Sequence, residues 1–162
     1  MAELIPVPFE NLLKRIYHEY TRTDAIFDLP SRKFYRSVDL CVSFCGNRAG
    51  NPLGPAAGPQ TQLAQNIVLS WIAGSRIIEL KTVQIKDRLE LTRPCINMAT
   101  VGYNTEWSQE LRLDESLREY VKASMIKEML RDWLFLSNPK HQTQNSSLDT
   151  IFDVSVGYDL AG

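Results

Sequence analysis

NPLGPAAGPQTQLAQNIVLSWIAGSRIIELKTVQI, residues 51–85, is the stretch that decides the fold class. Leu53–Ala57 predicts a short buried strand ending in the small-residue loop GPAAGPQT. Leu63, Ala64, Ile67, Val68, Trp71 and Ile72 recur at helical spacing, which predicts a helix over Gln62–Ala73. Gly74 stands where a glycine closes a helix in the left-handed conformation. Arg76–Ile85 then predicts a second strand. Strand, helix and strand in this order form a βαβ crossover, the unit from which parallel sheets are built. Lys81 is the lone lysine of that second strand. A cation in an otherwise apolar parallel strand needs a partner, and an anionic or electron-rich ligand is one candidate.

Upstream, Phe9, Leu12, Leu13, Ile16 and Tyr20 predict an amphipathic helix over Pro6–Tyr20, with Pro8 in its first turn and Glu10 at its positive end. Residues 21–37 are mixed, and Phe27, Leu29, Phe34 and Tyr35 suit an arm that packs onto something. Val38–Phe44 alternates apolar and polar as a half-buried strand does. GNRAGNP reads as a turn or linker, so the division expected is an arm over residues 1–47 and a second domain over 48–162.

Downstream, Lys86–Met98 reads as irregular and Thr100–Asn104 as a short extended piece or a turn. Leu113–Leu136 is the strongest helical pattern. Leu117, Tyr120, Val121, Met125, Ile126, Met129, Leu130 and Trp133 line one side, and Asp114 is placed to cap the start. Thr150–Val156 predicts a third strand. Alternating strands and helices argue an α/β fold with a parallel sheet.

The chain has 162 residues, 44% apolar and 23% charged, with a formal net charge of -1. That is enough chain for a real core, and the charge points to neither nucleic acid nor an anionic membrane. No stretch is apolar enough to span a bilayer, and the first residues show no secretory leader. The three cysteines Cys41, Cys45 and Cys95 are an odd, sparse set, which suits a reducing compartment, with the cytoplasm as default. They lack the further ligands of a zinc or cluster site and read as packing residues. His18 and His141 have no nucleophile and carboxylate arranged for hydrolysis, and no catalytic residue can be named.

The loop Gly54–Thr61 allows a ring or phosphate to approach the backbone closely, or it is only a strand-to-helix turn. It is neither GxGxxG nor GxxxxGK[ST], which disfavours a dinucleotide fold and a P-loop. Glu79 and Lys81 share one strand face, either as a surface pair or with Lys81 at the carboxyl end of a barrel strand, where barrel active sites lie. Asn104, in GYNTEWSQE, offers a donor and an acceptor to a heteroaromatic ring, or serves the turn beside Gly102.

Taken together, NPLGPAAGP, the helix and IIELKTVQI resemble the opening of FMN-binding barrels of the dihydroorotate and dihydropyrimidine dehydrogenase type, where a similar loop precedes a strand bearing a Lys-Thr pair. GYNTEWSQELRLDESLREYV resembles the segment of such a barrel that carries Asn-x-Glu and a following helix. From MAELIPVPFENLLKRIYHEY to FDVSVGYDLAG, the chain is more similar still to the amino-terminal region of the family named "putative selenate reductase subunit", large flavin and iron–sulfur oxidoreductases. The resemblance implies about three β/α units of a TIM-type FMN barrel behind a helical arm, an amino-terminal fragment of an NAD(P)H-linked enzyme acting on a small heterocycle or oxidised anion. It implies that Ala56, Ala57 and Gly58 lie against the flavin ring, that Lys81 approaches its pyrimidine edge, that Thr82 holds the strand end, and that Asn104 bonds flavin or substrate. FMN belongs to the complete barrel, whereas FAD, NAD(P)H and iron–sulfur clusters belong to other domains. The implied partners are a small-molecule substrate and the remaining parts of a redox complex. A full barrel needs about 250 residues, so open sheet edges predict self-association. A non-catalytic assembly or scaffold domain is the alternative reading.

Overall fold

The computed structural model describes residues 4–36, 40–85, 96–97, 103–104 and 110–154. Helix α1 spans Phe9–Thr23, starting and ending three residues later than its apolar pattern predicts. The Pro8 carbonyl accepts the amides of Asn11 and Leu12 at 3.0 and 3.1 Å, which sets the start. Asp24, in the left-handed region at φ 52°, sets the end. Two tight hairpins follow. β1 (Ala25–Ile26) pairs with β2 (Leu29–Pro30), and β3 (Val42–Phe44) pairs with β4 (Asn47–Ala49), both antiparallel. Their connecting residues, Phe27-Asp28 and Cys45-Gly46, all have positive φ, the two-residue geometry that follows the twist of a hairpin. Of the expected turn or linker GNRAGNP, Gly46 lies in the turn and Asn47–Ala49 are strand, so the β3–β4 hairpin spans position 47. Cys45 is exposed in this turn rather than packed, while Cys41 is half-buried; Cys95 lies outside the described residues, as do residues 38–39 of the strand predicted over Val38–Phe44.

The second half carries the parallel architecture. A 3-10 turn over Pro59–Gln62 leads into helix α2 (Ala64–Ala73), which is shorter than predicted at its start. β5 covers Ile77–Leu80, β6 Ile96–Asn97 and β7 Tyr103–Asn104; the last two pair antiparallel. Most of the irregular stretch expected over Lys86–Met98 lies outside the described residues. Helix α3 runs over Leu113–Leu130 and widens into a π-helical turn over Arg131–Leu136. Its start is closed by Glu115, whose carboxylate accepts the Arg112 amide at 2.8 Å, rather than by Asp114. β8 (Ile151–Val154) pairs parallel with β5, in register from Ile77↔Ile151 to Leu80↔Val154. β5 thus ends well short of Ile85, opposite the last residue of its partner.

Leu53–Ala57 is not a strand, and Leu53 is 63% exposed. It nevertheless runs along the other edge of β5. The Leu53 carbonyl accepts the amides of Arg76 and Ile77 at 2.8 and 3.1 Å, and the Pro55 carbonyl accepts that of Glu79 at 3.3 Å. Pro55 has no N–H to return, so the ladder is one-sided. The order is Leu53–Pro55, β5, β8, with α2 and α3 in the two crossovers. This is the beginning of a barrel that does not close within the described residues.

The core lies on the helical side of this sheet. Ile78 and Leu80 of β5 meet Ile67, Val68, Trp71 and Ile72 of α2, Ala123, Ile126 and Leu130 of α3, and Leu12, Ile16, Phe27 and Phe34 of the arm. Burying such side chains contributes about 1.5–3 kcal/mol each. One sequence expectation fails here. Leu117, Val121, Met125, Met129 and Trp133 are 40–59% exposed, and the buried face of α3 carries Ser116, Glu119, Ala123, Ile126, Lys127 and Leu130. No helix among the described residues is long and apolar enough to cross a membrane.

Candidate functional site

The loop from Gly54 to Gly58 runs along β5 from Ile77 toward its carboxyl end. Asn51, fully buried, starts it: its Nδ2 donates to the Gly74 carbonyl and its Oδ1 accepts the Leu53 amide, both at 2.9 Å. Gly54 touches β5 so closely that a Cβ there would lie 1.3 Å from the Ile77 carbonyl oxygen, so only glycine fits. The Ala57 amide donates to Glu79 Oε2 at 2.8 Å. The Gly58 amide donates to Thr61 Oγ1 at 3.1 Å, and the Thr61 amide returns to the Gly58 carbonyl at 2.9 Å. Both loop amides are thus used within the protein. What the loop offers a ligand is a surface of nothing larger than methyl groups, with Ala56 exposed and Ala57 half-buried.

β5 alternates as a strand with one covered face does: Ile78 and Leu80 are buried toward the helices, while Ile77 and Glu79 lie on the opposite face. Lys81 is next in that alternation, half-buried, one residue past the end of β5; Thr82 is half-buried beside it. Asp153 of β8 stands in register with Glu79. From the helical side, the Tyr120 hydroxyl of α3 donates to the Lys81 carbonyl at 2.5 Å. Burial pushes the Tyr120 phenol up to about 12, so it stays a donor throughout the physiological range. The structure brings Ala56, Ala57, Gly58, Lys81 and Thr82 to one end of the sheet. Asn104 belongs to β7, where its backbone faces Ile96, and its side chain lies outside the described residues. Among the described residues, no group of His, Cys, Asp and Glu side chains is gathered to hold a metal ion.

Three contributors were not singled out from sequence. Gln62 is fully buried directly after the loop, and among the described residues neither of its amide atoms has a hydrogen-bond partner. Tyr120 looked like one more apolar residue of a helical stripe. Arg76, 1% exposed, donates to the carbonyls of Ser147, Trp71 and Ser75 at 2.7–2.8 Å and lies 5.2 Å from the ring centres of Tyr35 and Trp71. Desolvation pulls its pKa down to about 10. It binds the amino-terminal ends of the strands, away from the loop. Nothing in the sequence distinguishes such an arginine from a solvated one.

Comparison with known proteins agrees with this geometry. The family model described as "Oxidoreductase YgfK, N-terminal TIM-barrel domain" matches residues 27–162. Proteins named "Putative oxidoreductase YgfK" from Escherichia coli strain K12 and from Escherichia coli O157:H7 are each 49% identical over 158 residues, covering 97% of this chain. The chain spans 15% of the length of these relatives. No solved structure matches. Given the extent of the family match and the partial barrel that carries it, this chain belongs to the family of the amino-terminal TIM-barrel domain of oxidoreductase YgfK.

Proposed function

We propose that this chain supplies the first strands and the ring-facing loop of an FMN-binding barrel in an NAD(P)H-linked oxidoreductase. Its other domains would hold FAD and iron–sulfur clusters. The observation that carries the reading is the loop Gly54–Gly58, which runs along β5 from Ile77 and is tied to Glu79, two residues before Lys81. Its small residues fit a flat ring laid along backbone, and Gln62, buried without a hydrogen-bond partner among the described residues, leaves an amide donor and acceptor in the same segment. FMN, when bound, supplies hydride and single-electron chemistry. The chain's own contribution is orientation and charge. Ala56, Ala57 and Gly58 set the plane of approach, Lys81 opposes negative charge that develops at a ring's pyrimidine edge, and Thr82 holds the strand end. Asn104 would hydrogen-bond the flavin or substrate. A small heterocycle or oxidised anion is the substrate class this implies, and the sparse cysteines suit a cytoplasmic enzyme.

A second reading, an assembly domain without its own chemistry, is favoured by the exposed ridge Leu117, Val121, Met125 and Met129 and by β8, whose only sheet partner among the described residues is β5. Absorption titration of the protein with FMN, beside a Lys81→Ala variant, separates the two. Saturable binding weakened about tenfold or more by the variant is the expected result, as for a desolvated charge contact. Binding insensitive to Lys81 would refute its placement at the ring, and absence of binding favours the assembly reading.

A further inference from the structure

We propose that Glu79 is the positioning residue of the ring-facing loop, an inference that rests on reading that loop as the flavin cradle. The argument begins with the half-built ladder beside β5. In parallel pairing each strand donates to the other in turn. β5 donates correctly, from Ile77 to Leu53 and from Glu79 to Pro55. The return bond from residue 55 is impossible because proline has no N–H. The next one, from residue 57, goes to a side chain: the Ala57 amide reaches Glu79 Oε2 at 2.8 Å. That length lies within the ordinary range for an amide N–H donating to an oxygen.

A side-chain acceptor does what a backbone carbonyl cannot. It lets the loop leave the plane of the sheet at Pro55 and still holds it to β5 two residues later. Glu79 also lies two residues before Lys81, on the same side of the strand by alternation. One side chain therefore sets the distance between the small-residue surface of the loop and the end of β5 that bears Lys81. Glu79 does not itself touch the ring in this scheme; it acts through Ala57.

The test uses the full-length protein with three variants, Glu79→Leu, Glu79→Gln and Glu79→Asp. Two quantities are read on each: hydrogen exchange of the peptide covering residues 55–62, and FMN affinity by absorption titration. Glu79→Leu removes the acceptor, and the Ala57 amide should exchange about tenfold faster, with FMN affinity falling by about as much. Glu79→Gln keeps an oxygen at the same reach and should stay within about threefold of wild type in both readings. Glu79→Asp keeps the charge but retracts it, and should behave like the leucine variant while folding normally; it decides the matter if Glu79→Leu fails to fold. Unchanged exchange in Glu79→Leu and Glu79→Asp overturns the claim that Glu79 holds the loop. Faster exchange with unchanged FMN affinity overturns its positioning role. A wild-type protein that binds no FMN overturns the cradle reading and this role with it, while the exchange measurement still reports separately whether Glu79 holds the loop.

Discussion

Removing the Glu119 carboxylate should destabilise this fold more than any substitution on the exposed face of α3. Glu119 sits on α3 with its side chain 2% exposed. One oxygen accepts the amide of Ala64, the first residue of α2, at 2.8 Å. The other pairs with Lys122, whose side chain is 13% exposed and which also donates to the Val7 carbonyl at 2.6 Å. The carboxylate thus caps the positive end of α2, fixes α3 against it, and neutralises a cation that reaches toward the segment before α1. Loss of a charged cap costs about 1–2 kcal/mol. Breaking a buried pair from one side costs about 3–5 kcal/mol, because the surviving charge is left without its partner. The two overlap, and Glu119→Ala should cost about 4 kcal/mol, near 10 °C of melting temperature for a chain of this size. Glu119→Gln, which keeps an oxygen for Ala64 but no charge for Lys122, should cost about half of that. Urea unfolding followed by tryptophan fluorescence reads both, since Trp71 of α2 lies in the core. The reasoning is refuted if Glu119→Ala costs less than about 1 kcal/mol, or if the glutamine and alanine variants are equally unstable.

Three further positions have expected outcomes of their own. Gly54→Ala places a methyl 1.3 Å from the Ile77 carbonyl, so the loop must move; calorimetry should show a loss of about 3 kcal/mol or more. Gly46→Ala, in a turn with open space but φ 77°, should cost only about 1 kcal/mol, and equal losses would refute the close approach. Burial, with Lys140 and Arg36, holds the His141 imidazole below its ordinary 6.5, against the opposing pull of Asp24. The unfolded chain then takes up the proton first as pH falls through 6.5, so stability drops below that pH and is flat above it. Urea midpoints at pH 7.5 and 5.5 should differ in this sense, and His141→Gln should remove part of the difference; an unchanged difference would refute the assignment.

The parallel architecture was legible because it rests on local signals. The stripe Ile67, Val68, Trp71 and Ile72, the closing Gly74 and the alternation of Ile77–Leu80 each follow from the period of a helix or strand. The loop was legible as a cluster of small residues, and Lys81 as a cation out of place. The strand expected at Leu53–Ala57 was misjudged for a local reason as well: Pro52 and Pro55 cannot donate to a ladder, and the sequence shows them plainly. Glu79, Tyr120 and Asn51 were opaque because their partners, Ala57, Lys81 and Gly74, are 22, 39 and 23 residues away.

By itself, the sequence determined that helices and strands alternate, where α2 and β5 lie, and where the loop of small residues before α2 falls. Periodicity and turn chemistry act within a few residues, so they can be read without a fold. Tertiary structure alone decided which side of α3 is buried. That helix is apolar on more than one face, and its ridge of Leu117, Val121, Met125 and Met129 is the stronger pattern, yet the core takes Ala123, Ile126 and Leu130. Glu119 lies on that inward face and accepts the Ala64 amide at the amino terminus of α2, a contact between residues 55 positions apart that no local periodicity reveals.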